Sequence, residues 1–286
     1  MSRSNFDRIR AAFDRAAPAY EEAAVLQREV TTRLLERLQY IKLKPRHVLD
    51  LGAGTGTGTR ALRRLYPQAL VVPLDCSGGM LRQQESQLGF WGGLRNGGLG
   101  VCADAHSLPF RDRSFELVFS SLTLQWCDDL PRVWREIFRV LKPGGALVFS
   151  SLGPDTLKEL RESWAAVDGA PHVNQFLDMH HVGDMLVHTG FADPVMDMEH
   201  ITLTYKEVTE LLKDIKRIGA NTLIADVGRG LTGKSRIVAM QQAYAAYRSA
   251  EDLYPATYEI VYGLAWGRDP DVQPLQFVPA ENLLSR

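Results

Sequence analysis

Only three cysteines occur in 286 residues, Cys76, Cys102 and Cys127, and no two of them form a CxxC pair. Thiols this sparse and scattered exclude a disulfide framework and fit a reducing compartment, each acting as a small hydrophobe. There is no HExxH, and the adjacent His180 and His181 face different sides of any helix, so no metal centre is expected. A run of about 18 apolar residues, the minimum for a membrane helix, is also missing. The N-terminal MSRSNFDRIRAAFDRAAPAY mixes charges with apolar residues and lacks the apolar core of a secretion signal. No membrane association is expected, and the expected location is the cytoplasm. Net charge is absent too: 33 Lys and Arg against 34 Asp and Glu leave −1. That balance gives nucleic acid no bulk attraction.

What is present is globular: 45% hydrophobic and 23% charged residues, at a length that buries a core unaided. Phe6, Ile9, Ala12 and Phe13, then Val30, Leu34, Leu35 and Leu38, recur at helical spacing, and Pro18 divides the run into two helices. From His47 short apolar strands alternate with helices. Strands are expected at 48–51, 69–74, 100–103, 115–120 and 146–151, with helices at 60–66, from Met80 (capped by Ser77) and at 130–141. The stretch Gly89 to Gly100, with six glycines, reads as a connection, and Lys142-Pro143-Gly144-Gly145 as a turn. Beyond residue 153 helices are expected at 155–167, 178–189, 206–219 and 234–250, and strands at 195–205 and 258–266. Strand–helix alternation means an α/β fold: an open, Rossmann-like twisted sheet, mostly parallel, with helices on both faces and an antiparallel last strand. The expected divisions are lid helices over 1–40, a core over 41–205, a helical insertion over 206–255, a last strand over 256–268 and a tail over 269–286.

In such sheets ligands bind beyond the carboxyl ends of the strands. The turn Asp50-Leu51-Gly52-Ala53-Gly54-Thr55-Gly56 sits there, and glycines let the chain turn tightly and a ligand come close. Alone this G-x-G-x-G fits a methyltransferase or a dinucleotide enzyme equally. Asp75 ends the second strand about twenty residues on, where a carboxylate can accept two ribose hydroxyls. Ala103-Asp104-Ala105 ends the third, placed for an adenine edge. Together these residues resemble the class I S-adenosylmethionine methyltransferases.

Runs outside the sheet are more specific. Ala11-Ala12-Phe13-Asp14-Arg15-Ala16-Ala17-Pro18-Ala19-Tyr20, Leu26-Gln27 and Leu124-Gln125-Trp126-Cys127 resemble the malonyl-acyl-carrier-protein O-methyltransferases of biotin synthesis. So do 164–168, 171–177, 218–221 and 254–258. The resemblance spans about residues 5 to 266. It implies S-adenosylmethionine as cofactor, held by Asp50, Gly52, Ala53, Gly54, Gly56, Asp75, Cys76, Met80, Asp104, Ala105, Ser120, Leu122 and Gln27. It implies methyl transfer to the free carboxylate of a malonyl thioester on acyl-carrier protein or coenzyme A. Because a carboxylate is already ionised at pH 7, no general base is expected. Tyr20, Trp126 and His172 are the candidate substrate neighbours. Other readings of the same frame are a methyltransferase for a small acid or a quinone, or a respiratory assembly factor that binds the cofactor without transfer.

Residues 206–236 hold seven basic side chains against four acidic. Lys213, Lys216 and Arg217, at i, i+3 and i+4, share a helix face and, with Arg236, are candidates for a substrate carboxylate or a carrier protein; the plainer reading is a solvated face. Residues 228–235 match the phosphate-loop pattern G-x-x-x-x-G-K-[ST]. The 51 residues that follow supply no acidic strand end for magnesium, which argues against nucleotide hydrolysis.

Overall fold

The computed structural model describes residues 3–95, 100–168, 170, 172–219 and 233–268, without the side chains of 3–5, 88–95 and 234. The N-terminal region forms helices α1 (Arg3–Ala16), α2 (Tyr20–Ala23) and α3 (Val25–Arg37), the first two joined by a 3₁₀ turn at Ala17–Ala19 that contains Pro18. There are thus three helices where two were expected. The alternating part follows as β1 (His47–Leu51), α4 (Thr57–Leu65), β2 (Leu70–Asp75), α5 (Gly78–Arg95), β3 (Val101–Cys102), β4 (Phe115–Ser121), α6 (Leu130–Val140) and β5 (Leu141–Leu152). Then come α7 (Lys158–Ala165), α8 (Met179–Thr189), β6 (Ala192–Tyr205), α9 (Val208–Arg217), α10 (Lys234–Tyr244) and β7 (Tyr254–Trp266).

The seven strands lie in the order β3-β2-β1-β4-β5-β7-β6. The pairs from β3 to β5 are parallel, and β7 runs antiparallel between β5 and β6. Starting at β1, the chain winds out to β3 and then returns to β4. The switch point, where ligands bind in such sheets, therefore lies at the carboxyl ends of β1 and β4.

Period-two alternation sends successive strand residues to opposite faces. Val48, Leu117, Phe119 and Val148 pack with α3, α7, α9 and α10, whereas Leu49, Val118, Leu147 and Phe149 pack with α6 and α8. Each fully buried Leu, Val or Phe contributes roughly 1.5–3 kcal/mol. Helix ends are set locally. Asp129 caps α6 and Asp178 caps α8, Gly190 at φ +107° ends α8, and Glu207 with Glu210 forms a capping box on α9.

Two further sequence expectations change. Helix α5 continues to Arg95, so the glycine-rich stretch is helical for half its length; residues 96–99 lie outside the described residues. Strand β5 begins at Leu141, before the expected turn, because Gly144 N–H donates to Gly267 O and Gly267 N–H to Gly145 O, both at 2.8 Å. No described helix is long and apolar enough to cross a membrane.

Candidate functional site

The glycine turn is pinned from below: the Gly52 and Ala53 amides both donate to Leu74 O at the end of β2, at 2.8 and 2.9 Å. Gly52 has φ +76°, and a Cβ there would stand 1.9 Å from Thr123 Oγ1, so the loop after β4 leaves no room for a side chain. Gly54 is the opposite case. Its φ is +54°, and nothing lies within 4 Å of where its Cβ would be. That backbone faces open space, and its amide donates to Asp75 Oδ2 at 2.9 Å.

Asp75 also accepts from the Ser77 amide at 2.8 Å. Burial holds its carboxyl above the ordinary range, against the pull of these donors. After β3, Asp104 Oδ1 accepts the His106 amide at 2.9 Å and lies 2.6 Å from His106 Nδ1; His106 Nε2 stands 3.3 Å from Asp128. The imidazole thus ties the loop after β3 to the one after β4.

These groups surround a cleft of about 1040 Å³, open solvent at its mouth included. Its wall toward β2 and β3 is Leu74, Asp75, Cys76, Met80, Asp104 and Ala105. The far wall, toward β5 and β7, is Phe13, Trp126, Leu152, Ile218 and Tyr258. Helix α1 roofs it: Asp14 Oδ1 accepts Ser77 Oγ at 2.7 Å and the Gly79 amide at 2.8 Å, and Trp126 meets Phe13 edge-on at 5.2 Å. Burial, aided by Asp75's charge, pushes the Tyr20 phenol well above its ordinary range, and burial does the same to Tyr258. The Cys127 thiol is pushed up to about 12 by burial, with Asp104 and Asp128 adding to it, and Cys76 likewise rises. At neutral pH these groups are proton donors, not nucleophiles.

Of the sequence candidates, Tyr20, Gln27, Gly52, Gly54, Asp75, Cys76, Met80, Asp104, Ala105, Leu122 and Trp126 line this cleft. Others do not. Ser120 is fully buried and donates to Leu51 O; its neighbour Ser121 is the one that reaches the cleft, because successive strand residues point opposite ways. Gly56, at φ +89°, starts α4, and a Cβ there would meet Gln84. Asp50 sits under the turn, bonded by the Thr59 hydroxyl, and with Ala53 lines a smaller compartment next to the cleft. Burial, opposed by Thr59 and aided by Asp75's charge, pushes its carboxyl up to about 7.

His172 is 5% exposed, stacked on Trp164 at 3.9 Å and bonded to Asp168 at 2.8 Å, so it packs α7 instead of reaching the cleft. Arg236 is exposed, 3.6 Å from Asp168. Lys213, Lys216 and Arg217 are exposed around a separate surface concavity with Arg15. Val208, Leu211 and Ile215 bury the core face of α9, and the basic residues occupy the other side. Of the phosphate-loop match, residues 228–232 lie outside the described residues, and Lys234 and Ser235 open α10. Sequence reasoning missed Thr123, Ser121 and His106 as cleft residues; the Cβ-free Gly52 was the one hint that something packs against it.

The methyltransferase-domain family matches residues 49–149. A malonyl-[acyl-carrier protein] O-methyltransferase of Gallionella capsiferriformans is 51% identical over 253 residues, covering 87% of this chain and 86% of that one. Its counterpart in Halorhodospira halophila is 49% identical, over 85% and 82% of the two chains. Among solved structures, the YcgJ protein of Bacillus subtilis shares the fold, with a TM-score of 0.58 at 17% identity over 83% of this chain and 99% of that one. With relatives at half identity over most of its length, the chain belongs to the malonyl-[acyl-carrier protein] O-methyltransferase family.

Proposed function

We propose that this protein methylates the free carboxylate of a malonyl thioester carried by acyl-carrier protein, with S-adenosylmethionine as methyl donor, as an early step of biotin synthesis. The observation that carries the reading is a cleft whose one end is a glycine turn and two strand-end carboxylates and whose other end is an apolar, tyrosine-bearing wall. The names of the half-identical relatives support the acceptor.

The residues fit the donor. Gly52 and Gly54, which line the cleft with bare backbone, would hold its amino-acid portion, Asp75 its sugar, and Asp104 with Ala105 its adenine. Bound there, S-adenosylmethionine supplies an electrophilic sulfonium methyl group. The protein's own task is then alignment and drying. Phe13, Trp126, Leu152 and Ile218 exclude water from the acceptor oxygen, and Tyr20, held protonated, can donate to the carboxylate without taking a proton. Orientation of this kind can lower a barrier by roughly 7–11 kcal/mol. No proton has to leave the acceptor, so no residue is given the role of general base.

The carrier protein, an acidic partner, fits the concavity of Arg15, Lys213, Lys216 and Arg217 beside α1. Methyl-labelled donor, purified protein and malonyl-acyl-carrier protein should yield a base-labile methyl ester on the carrier. Label passing only to malonyl-coenzyme A would replace the carrier in this reading. Label passing only to a small acid or a quinone, or donor binding without any transfer, would overturn it.

A further inference from the structure

Five non-glycine residues among those described have a positive φ: Arg113, Leu122, Leu157, Asp193 and Asp252. Of these, Leu122 alone lines the cleft. At φ +49° it lies in the left-handed region, where a leucine is disfavoured by roughly tenfold against its ordinary conformations. Glycine would make this turn without that cost, but Leu122 is 8% exposed and belongs to the core on the α3 side of the sheet. The side chain is kept for packing, so the backbone must be held in place by its neighbours.

It is held at both ends of the residue. The Leu122 amide donates to Ser150 O and Ser150 Oγ on β5, each at 3.1 Å. Ser150 Oγ lies 3.3 Å from Ser121 Oγ, which lies 3.0 Å from Thr31 Oγ1, so a chain of hydroxyls joins β5, β4 and α3 beside the strained residue. At the other end, Leu122 O accepts from Gln125 Nε2 at 2.7 Å. A carbonyl can only accept, so the amide nitrogen has to face it, and the orientation of the Gln125 side chain is thereby fixed. Gln125 Oε1 is buried without a hydrogen-bond partner. A glutamine that leaves its own oxygen unpaired while gripping one backbone carbonyl is placed for that grip.

Between Leu122 and Cys127 the chain closes on itself, with Trp126 N–H on Thr123 O and Cys127 N–H on Leu124 O, both at 3.0 Å. The closure sets Thr123 where Gly52 has no side chain and Trp126 edge-on to Phe13. Both line the cleft, one at the glycine turn and one on the far wall that shields the acceptor. A chain that relaxed at Leu122 would carry the two apart. We propose that Gln125 is a positioning residue for methyl transfer: its amide locks Leu122 in the left-handed conformation and so fixes the two ends of the cleft relative to each other. The assignment rests on the transfer reading above and requires no contact between Gln125 and either ligand.

A double-mutant cycle of Gln125→Leu with Leu122→Gly tests it, with methyl transfer to malonyl-acyl-carrier protein as the assay. Gln125→Leu should lower kcat about tenfold, the share that the unbraced strain takes, and leave KM and S-adenosylhomocysteine affinity within about threefold. Made in the Leu122→Gly protein, the same substitution should cost less than about threefold, because glycine needs no brace. Gln125→Glu supplies a second measurement that does not depend on how well Leu122→Gly folds. Its carboxyl can donate to Leu122 O only when protonated, so its kcat relative to the unaltered protein should climb as pH falls from 8 toward 5. A kcat within twofold after Gln125→Leu, equal losses in both backgrounds of the cycle, or a Gln125→Glu ratio flat with pH would each overturn the assignment alone. So would a fall of kcat, nucleoside affinity and melting temperature together, which would make Gln125 a support of the fold. An unaltered protein that transfers no methyl group to the carrier overturns the transfer reading, and this assignment with it.

Discussion

Asp50 shows how one residue can be legible in place and illegible in state. The sequence puts a carboxylate two residues before the first glycine of the turn, at a strand end where a ligand group is expected. It does not show that the strand is buried on both faces, leaving that carboxyl 3% exposed with the Thr59 hydroxyl against it. Burial dominates and holds the proton on up to about pH 7, whereas the unfolded chain releases it near 3.8. Between those limits the native state binds more protons than the unfolded one, so this group's contribution to stability falls as pH rises through the window. Above it, the whole cost of a buried charge remains. Asp50→Asn removes the titration. The melting temperature of the variant should therefore gain on that of the unaltered protein from pH 5 to pH 8, and a difference constant across that range would refute the buried-acid account. The same limit explains the serines: in a strand with both faces covered, Ser120 and Ser121 have no polar alternation to distinguish them, and only the strand's setting shows which one reaches the cleft.

At the level of elements, what sequence shows best is what local spacing dictates. The alternation of strands and helices, the Ser77 cap on α5 and the basic face of α9 are all set by neighbours a few residues apart. The seating of α1 is not. Asp14 reaches Ser77 and Gly79 across more than sixty residues, and nothing in the helical pattern of 5–16 marks it as the contact point. This one carboxylate takes two donors at the start of α5, where the helix dipole favours negative charge. Ser77 in turn caps the helix through Met80 N–H at 3.1 Å, so the roof of the cleft and its wall toward β2 and β3 share one small polar junction. Asp14→Ala leaves both donors without their partner and should cut donor affinity about tenfold, on the scale of a lost charged hydrogen bond. The melting temperature should fall by only a few degrees, since the apolar core is untouched. Titration calorimetry alongside a melting curve checks both, and a large stability loss with unchanged affinity would mean that α1 belongs to the core and is no roof.

Across the whole molecule, a net charge of −1 hides an uneven surface. Arg15 from α1 and Lys213, Lys216 and Arg217 from α9 converge on one concavity, although they lie about two hundred residues apart in sequence, with only Glu210 and Asp214 as acidic members of its lining. The basic run on α9 was visible as spacing; its meeting with Arg15 depends on α1 folding back across the sheet. None of these side chains lines the cleft, so they are poorly placed to grip a small acceptor and well placed to steer a large acidic one. Reversing Lys213, Lys216 and Arg217 to Glu should therefore raise KM for malonyl-acyl-carrier protein steeply at low salt while leaving kcat nearly unchanged. Added salt should shrink the gap, because exposed charges are screened within about 10 Å at 0.1 M. Whatever rate the unaltered protein has with malonyl-coenzyme A, the same variant should keep, since that acceptor has no protein surface to present. Equal losses on both acceptors would assign the patch to folding, and no loss on either would leave it a solvated helix face.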